Sequence, residues 1–356
     1  MSEGADSGAG FTGPERWRLA GFGGAVLLLH LLGWGLFLLY AHDFGPVYAG
    51  AGALAYGFGL RHAFDADHIS AIDDTTRLLI QRGRRPLGVG FFFSLGHSSV
   101  VFALCVAIAF GAGVVEQRLP QLRQVGGLIG ATVSGLFLWA VGLLNLLVLM
   151  GLWKAWRGIR SHRPSDAELQ ALLARRGFLN QLFGQRMTGW ISASWRMYPV
   201  GFLFGLGFDT ASEVGLLAIT AAATTQHATG GRVPVLGILA LPLIFAAGMS
   251  LMDTADGAFM ARAYGWALAS PERKLYYNLT TTALSVFVAL AVGTVELLQV
   301  LGEHLSWEGG LFEWIDAMDF ELLGYWIVGA FVVAWVVSVA IYKFARVEER
   351  SGSGAS

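Results

Sequence analysis

The chain has 356 residues, 55% of them hydrophobic and 14% charged, with a formal net charge of −1 and a mean hydropathy of +0.57. Soluble domains are typically about a quarter charged, so this balance argues against a pair of soluble domains and points to a polytopic membrane protein with no footing for nucleic acid. The single cysteine, Cys105, excludes a disulfide framework, a zinc ribbon and an iron–sulfur site, and in its apolar run it reads as a small core residue.

Residues 1–18 mix Glu3, Asp6 and Glu15 with Arg16 and Arg18, unlike a signal peptide, and read as a cytoplasmic N-terminal tail. The apolar run 19–40 is too long for a signal h-region. It is long enough to span, since about 20 helical residues cross about 30 Å of hydrocarbon. Seven further spans are expected at 48–74, 87–113, 125–152, 198–223, 233–260, 275–301 and 322–345. Runs of this length and character fit helices and not the alternating segments of a barrel. The expected fold is therefore all-α, with eight transmembrane helices. It divides into a first membrane half, 19–153, a cytoplasmic loop, 154–196, a second membrane half, 197–345, and a C-terminal tail, 346–356.

The second span carries the most informative stretch, Gly59-Leu60-Arg61-His62-Ala63-Phe64-Asp65-Ala66-Asp67-His68-Ile69. Ionisable groups at membrane depth cost at least about 2.5 kcal/mol each on insertion scales and are functional by default. On an ideal helix His62, Asp65 and His68 share an arc of about 120°, and Asp67 points away from it. Convergence of His62, Asp67 and His68 requires the helix to unwind or tighten, which is tolerated at that depth where backbone lines a cavity. Imidazole with carboxylate suits Ni²⁺, Co²⁺, Zn²⁺ or Fe²⁺. Arg61 reads as a counter-ion or an anchor on the cytoplasmic side.

In the third span His97 lies about 16 Å past Pro86, near mid-bilayer, and reads as a ligand or a ligand's partner. Ser94, Ser98 and Ser99 around it read as packing. In the loop 154–196, Pro164-Ser165-Asp166-Ala167-Glu168 reads as a capping box opening an amphipathic helix with an apolar stripe at Leu169, Leu172 and Leu173. The fifth span carries Asp209, about 16 Å in, with Glu213 on the same face at i+4. The sixth carries Asp253 and Asp256. Each of these carboxylates could bind the ion, carry a proton or pair with Arg61. In the seventh span the threonines at 280–282 can bond back to their own helix. The segment from 302 to 321 holds six acidic residues and no Lys or Arg, as positive-inside bias expects of an outer loop.

With the N-terminus inside, every Lys and Arg except Arg61, Arg118, Arg123 and Arg232 falls on the cytoplasmic side. Both ends are then cytoplasmic, with an even number of spans. Phe64-Asp65-Ala66 is echoed by Phe208-Asp209-Thr210, and residues 93–98 by 245–250. The echo suggests that spans 2–4 and 5–7 are an inverted 3+3 repeat, a common transporter plan.

The stretch Arg61–Ile69 contains a His-x₄-Asp-His pattern and resembles the signature of the nickel/cobalt transporter family. Residues 93–101, 206–214 (Leu-Gly-Phe-Asp-Thr-Ala-Ser-Glu-Val) and 248–256 are similar to that family's other motifs, in order, and 274–300 is similar as well. The resemblance implies an eight-span permease importing Ni²⁺ and/or Co²⁺ across the cytoplasmic membrane. It implies metal recognition by His62, Asp67 and His68, with contributions from His97, Asp209, Glu213, Asp253 and Asp256.

The expected protein is a secondary transporter, not an enzyme. Its ions are substrate, no cofactor is expected, its surroundings are lipid, and no ATPase subunit is evident; the chain has no Walker A pattern. An efflux permease of the same fold shares this physics. A membrane metalloenzyme would hold a fixed metal with an open position, and the chain has no His-Glu-x-x-His pattern.

Overall fold

The computed structural model describes residues 11–161, 192–207, 211–225, 227–228, 231–267, 271–305, 307, 309–318 and 320–344. In chain order they form α1 (Gly13–His62), α2 (Ala66–Gln81), α3 (Val89–Ser161), α4 (Met197–Phe204), α5 (Ala211–Thr225), α6 (Val235–Ala267), α7 (Pro271–Leu305), α8 (Leu311–Asp316) and α9 (Phe320–Phe344). A two-residue ribbon, β1 (His227–Ala228) against β2 (Gly231–Arg232), is antiparallel and joins α5 to α6. The capping box and leucine stripe expected within 164–183 lie outside the described residues, as does Asp209.

Two helices are too long to be straight. At 1.5 Å per residue α1 would extend about 75 Å. Instead the His30 Nε2 lies 3.2 Å from the Tyr56 hydroxyl, and the Phe37 and Tyr48 rings stack at 4.9 Å, so the chain doubles back into two arms. Phe93 and Phe137, both in α3, each pack edge-on against Phe204, at 5.2 and 5.7 Å, so α3 is two arms as well.

Among the described residues, five helical stretches are long and apolar enough to cross a membrane: Gly13–Ala41, Val89–Phe110, Gln124–Gly151, Val235–Tyr264 and Leu279–Leu305. They correspond to five of the expected spans. Within α9, Leu322–Ala334 is a shorter apolar stretch where the last was expected. The remaining two expected spans, 48–74 and 198–223, are not single helices. The first is interrupted between His62 and Ala66, where Asp65 takes an extended backbone (ψ 141°) and a new helix begins. Asp is a favoured residue at such a start. An unbroken helix would hold His62 and His68 about 9 Å apart along its axis, and the break brings their ring centroids to 4.6 Å. The second is interrupted at Gly205-Leu206-Gly207, where the Gly207 N–H closes a turn on the Phe204 carbonyl.

Two helix crossings set how closely the bundle packs, and they follow one pattern. In the first, Tyr56-x-x-Gly59 of α1 meets Phe245-x-x-Gly248 of α6. A Cβ on Gly59 would run into the Phe245 carbonyl, and one on Gly248 would press on the Tyr56 carbonyl. In the second, Tyr198-x-x-Gly201 of α4 meets Phe93-x-x-Gly96 of α3. There a Cβ on Gly201 would meet the Phe93 carbonyl, and one on Gly96 the Tyr198 carbonyl. Small residues of this kind let membrane helices approach backbone to backbone. The apolar core lies on either side of these crossings. One cluster, including Cys105, Leu241, Ile244, Phe245 and Met249, lies with α1, α3, α5 and α6. The other, including Ile72, Phe93, Leu138 and Phe331, lies with α2, α3, α4, α6, α7 and α9.

Candidate metal centre

The break after His62 places three imidazoles at the corners of a near-equilateral triangle. Ring centroids are 4.6 Å apart for His62–His68 and 4.8 Å for both His62–His97 and His68–His97. All three are buried, and one ring nitrogen from each lies within 4.8 Å of the others. His62 ends α1, His68 sits in the first turn of α2, and His97 comes from the first arm of α3, so three separate helical segments converge on one point.

The polar atoms around the triangle divide by position. The Nε2 atoms of His62 and His97 are 3.0 Å apart, and Glu213 Oε1 is 2.8 Å from His97 Nε2 and 4.0 Å from His62 Nε2. On the far side of His62, Nδ1 is 2.7 Å from Asp65 Oδ2, and His68 Nδ1 is 3.3 Å from Asp253 Oδ2. His68 Nε2 and His97 Nδ1 are buried with no hydrogen-bond partner. A histidine that gives one nitrogen to a carboxylate presents the other in a fixed direction, the usual arrangement behind metal-bound imidazole. Leaving a buried nitrogen unpaired costs about 1–3 kcal/mol, and a cation held between the rings would relieve that cost at His68 Nε2.

Of the residues singled out from the sequence, the structure brings together His62, His68, His97 and Glu213, with Asp65 and Asp253 directly behind the first two histidines. Asp67 instead accepts the backbone N–H of His68 through Oδ1, as a first-turn carboxylate does. Asp256 lies about one turn beyond Asp253 on α6, with Oδ2 buried and unpaired. Arg61 is exposed at the end of α1. Ser94 does more than pack, since its hydroxyl reaches the Phe91 carbonyl and the Ser250 hydroxyl of α6.

Sequence reasoning missed a second buried polar group farther along α2, formed by Asp73, Asp74 and Arg77. Arg77, which the sequence placed with the cytoplasmic segment, is 2% exposed and donates to Thr281 and Thr282 of α7, so those threonines serve another helix. The available signal was Asp73-Asp74 inside the span expected at 48–74.

Comparison with known proteins points the same way. Residues 48–341 match the family described as High-affinity nickel-transport protein, NicO. The chain is 46% identical to the nickel transporter NicT of Mycobacterium tuberculosis, over 98% of this chain and 95% of that one. It is 47% identical to the high-affinity nickel-transport protein NixA of Helicobacter pylori, over 91% and 97% of the two. It is also 45% identical to the cobalt transport protein NhlF of Rhodococcus rhodochrous, over 92% and 93%. No solved structure matches the chain.

Proposed function

The chain belongs to the high-affinity nickel-transport family, and on that premise we propose that it is a secondary transporter importing Ni²⁺ and/or Co²⁺ across the cytoplasmic membrane. The observation that carries the reading is the triangle of imidazoles with Glu213 at its edge. His62 and His68 offer Nε2 to the ion, His97 and Glu213 complete the set, and Asp65 and Asp253 hold the first two rings in place. Imidazole nitrogens with a carboxylate suit borderline first-row ions. The ion sheds water onto these groups in a buried site, where the carboxylates offset its charge.

Eight crossings, with both termini inside, accommodate this site. The two interrupted segments, α1–α2 and α4–α5, count as spans two and five, and α9 as the eighth. The repeat is supported by the two crossings, whose Tyr-x-x-Gly and Phe-x-x-Gly elements exchange partners. Span two packs on span six, and span five on span three, as inverted copies would. Broken helices at matching positions of two repeats are the usual place for a transporter's substrate. Rocking of the repeats about the crossings would open the centre to each side in turn.

The test is uptake of radioactive nickel into proteoliposomes, comparing wild type with His62→Ala and His68→Ala. Both variants should lose uptake while remaining monodisperse in detergent. Folded variants that transport as well as wild type would remove the assigned site. Direction is read separately: cells expressing the protein should gain nickel, and a net loss would make it an exporter.

A further inference from the structure

Five to six residues beyond His68, α2 carries Asp73 and Asp74, each 1% exposed. Their carboxylates face the Ser285 hydroxyl of α7 from two sides. Ser285 Oγ is 2.7 Å from Asp73 Oδ2 and 2.7 Å from Asp74 Oδ1. A serine hydroxyl has one proton to donate. It serves one of these oxygens, and the other carboxyl must itself donate to Oγ, or two lone pairs face each other at hydrogen-bond distance. The rest of the cluster does not supply the missing proton. The Tyr264 hydroxyl of α6 is committed to Asp73 Oδ1, and the Asn145 amide of α3 to Asp74 Oδ1, at 2.6 Å. Arg77 Nη1 points to Thr281 and Thr282 instead, with its guanidinium 4.0 Å from the Tyr264 ring centre.

Buried atoms without a partner remain on both sides of the count, Asp74 Oδ2 and Asn145 Oδ1 among the acceptors and Arg77 Nε and Nη2 among the donors, so the extra proton rests on the Ser285 bridge itself. The charge count agrees. One guanidinium stands beside two carboxyls, and one proton removes the extra negative charge that burial penalises. Among the described residues, Asp256 of α6 is a further ionisable group whose charge interacts with that of Asp73, and α9 presents apolar Leu323, Ile327 and Phe331 to the same packed region.

We infer that the Asp73–Ser285–Asp74 bridge holds one dissociable proton and is the coupling-ion site of the transporter, distinct from the metal centre. The two sites share their helices: α2 meets α6 through His68 and Asp253 at the centre and through Asp73 and Tyr264 here. Asp73 is about 7.5 Å along α2 from His68, toward the face that the arginine distribution assigns to the cytoplasm. Displacement of α2 against α6 and α7 as the centre opens inward would separate Ser285 from one carboxyl and release its proton to the inner solution. The site would take up its next proton from the outer solution when the centre faces outward, so one proton moves inward with each ion.

This inference rests on the transport reading, so one arm of its test needs no transport. Infrared spectra of the detergent-solubilised protein should show a carboxylic-acid C=O band that is lost in both D73N and D74N. A wild-type spectrum without such a band, or one unaltered by either substitution, overturns the inference even if uptake is normal. The second arm measures nickel uptake at fixed outer pH with varied inner pH. The wild-type rate should follow inner pH, by at most about tenfold per unit for a single proton. D74N, whose amide can give Ser285 the donor that the protonated acid gives, should respond about 1-fold. A D74N response equal to wild type, or a wild type indifferent to inner pH, overturns the inference. Loss of nickel binding in D74N would also overturn it, by placing Asp74 on the metal's own route.

Discussion

Asp253 tests the division between groups that touch the ion and groups that aim the ligands. Its Oδ2 is 3.3 Å from His68 Nδ1, the nitrogen turned away from the centre. Outer partners of this kind typically account for 10–100-fold in metal affinity, so Asp253→Asn should weaken Ni²⁺ binding by about that factor in calorimetry. Glu213→Gln should cost more, because Glu213 Oε1 lies within 4.0 Å of two imidazole nitrogens. If Asp253→Asn abolishes binding and Glu213→Gln does not, the two roles are exchanged. At this scale much of the centre was legible in the sequence. A histidine or carboxylate inside an apolar run stands out because its burial is costly, and His62, His68, His97, Glu213 and Asp253 all announced themselves in that way. Their partners were not legible. Asp67 follows the same signal, and that its Oδ1 accepts the His68 N–H is revealed only by the backbone turn at Asp65.

Among the helices, the four crossing glycines make a sharper prediction than the apolar face of any one helix. In a helix interior, Gly→Ala gains about 1 kcal/mol of intrinsic propensity. At Gly59 and Gly201 the added methyl meets a backbone carbonyl of the partner helix, which cannot swing aside as a side chain can. Overpacking costs typically about 1–3 kcal/mol and should win, so Gly59→Ala and Gly201→Ala should each lower the thermal midpoint in detergent. Gly57→Ala, at a position where the new methyl meets open space, should not lower it. Gly324 of α9 is a stricter case, since its Cβ would enter the Phe64 carbonyl at the helix break, beside the stacked Phe64 and Tyr325 rings. Hydropathy located the long spans and could not see the breaks. The segments around Asp65 and Gly205–Gly207 remain apolar enough to read as continuous, and the backbone leaves the helix there to satisfy contacts from α6, α3 and α9 that no local window contains.

Across the whole molecule, the proposed import route predicts that protons and metal compete for the imidazoles from the outer side. Imidazoles must be neutral to bind, so uptake at fixed inner pH should fall as outer pH drops through the ordinary histidine range near about 6.5. A rate unchanged from neutral to mildly acid outer pH would count against imidazole binding in the rate-limiting state. Arg77, which the sequence placed with the cytoplasmic arginines, lies in the bundle interior.

The exchange of partners at the two crossings reaches beyond packing. Residues before 162 contribute all three histidines, and residues after 191 contribute Glu213 and Asp253, while each crossing joins one segment from either side. Neither fragment of a chain divided within 162–191 therefore contains a complete cage or a complete clasp. Produced separately, each should fail to retain nickel. Produced together in one cell, the two should find each other in the bilayer and restore uptake without a peptide link between them.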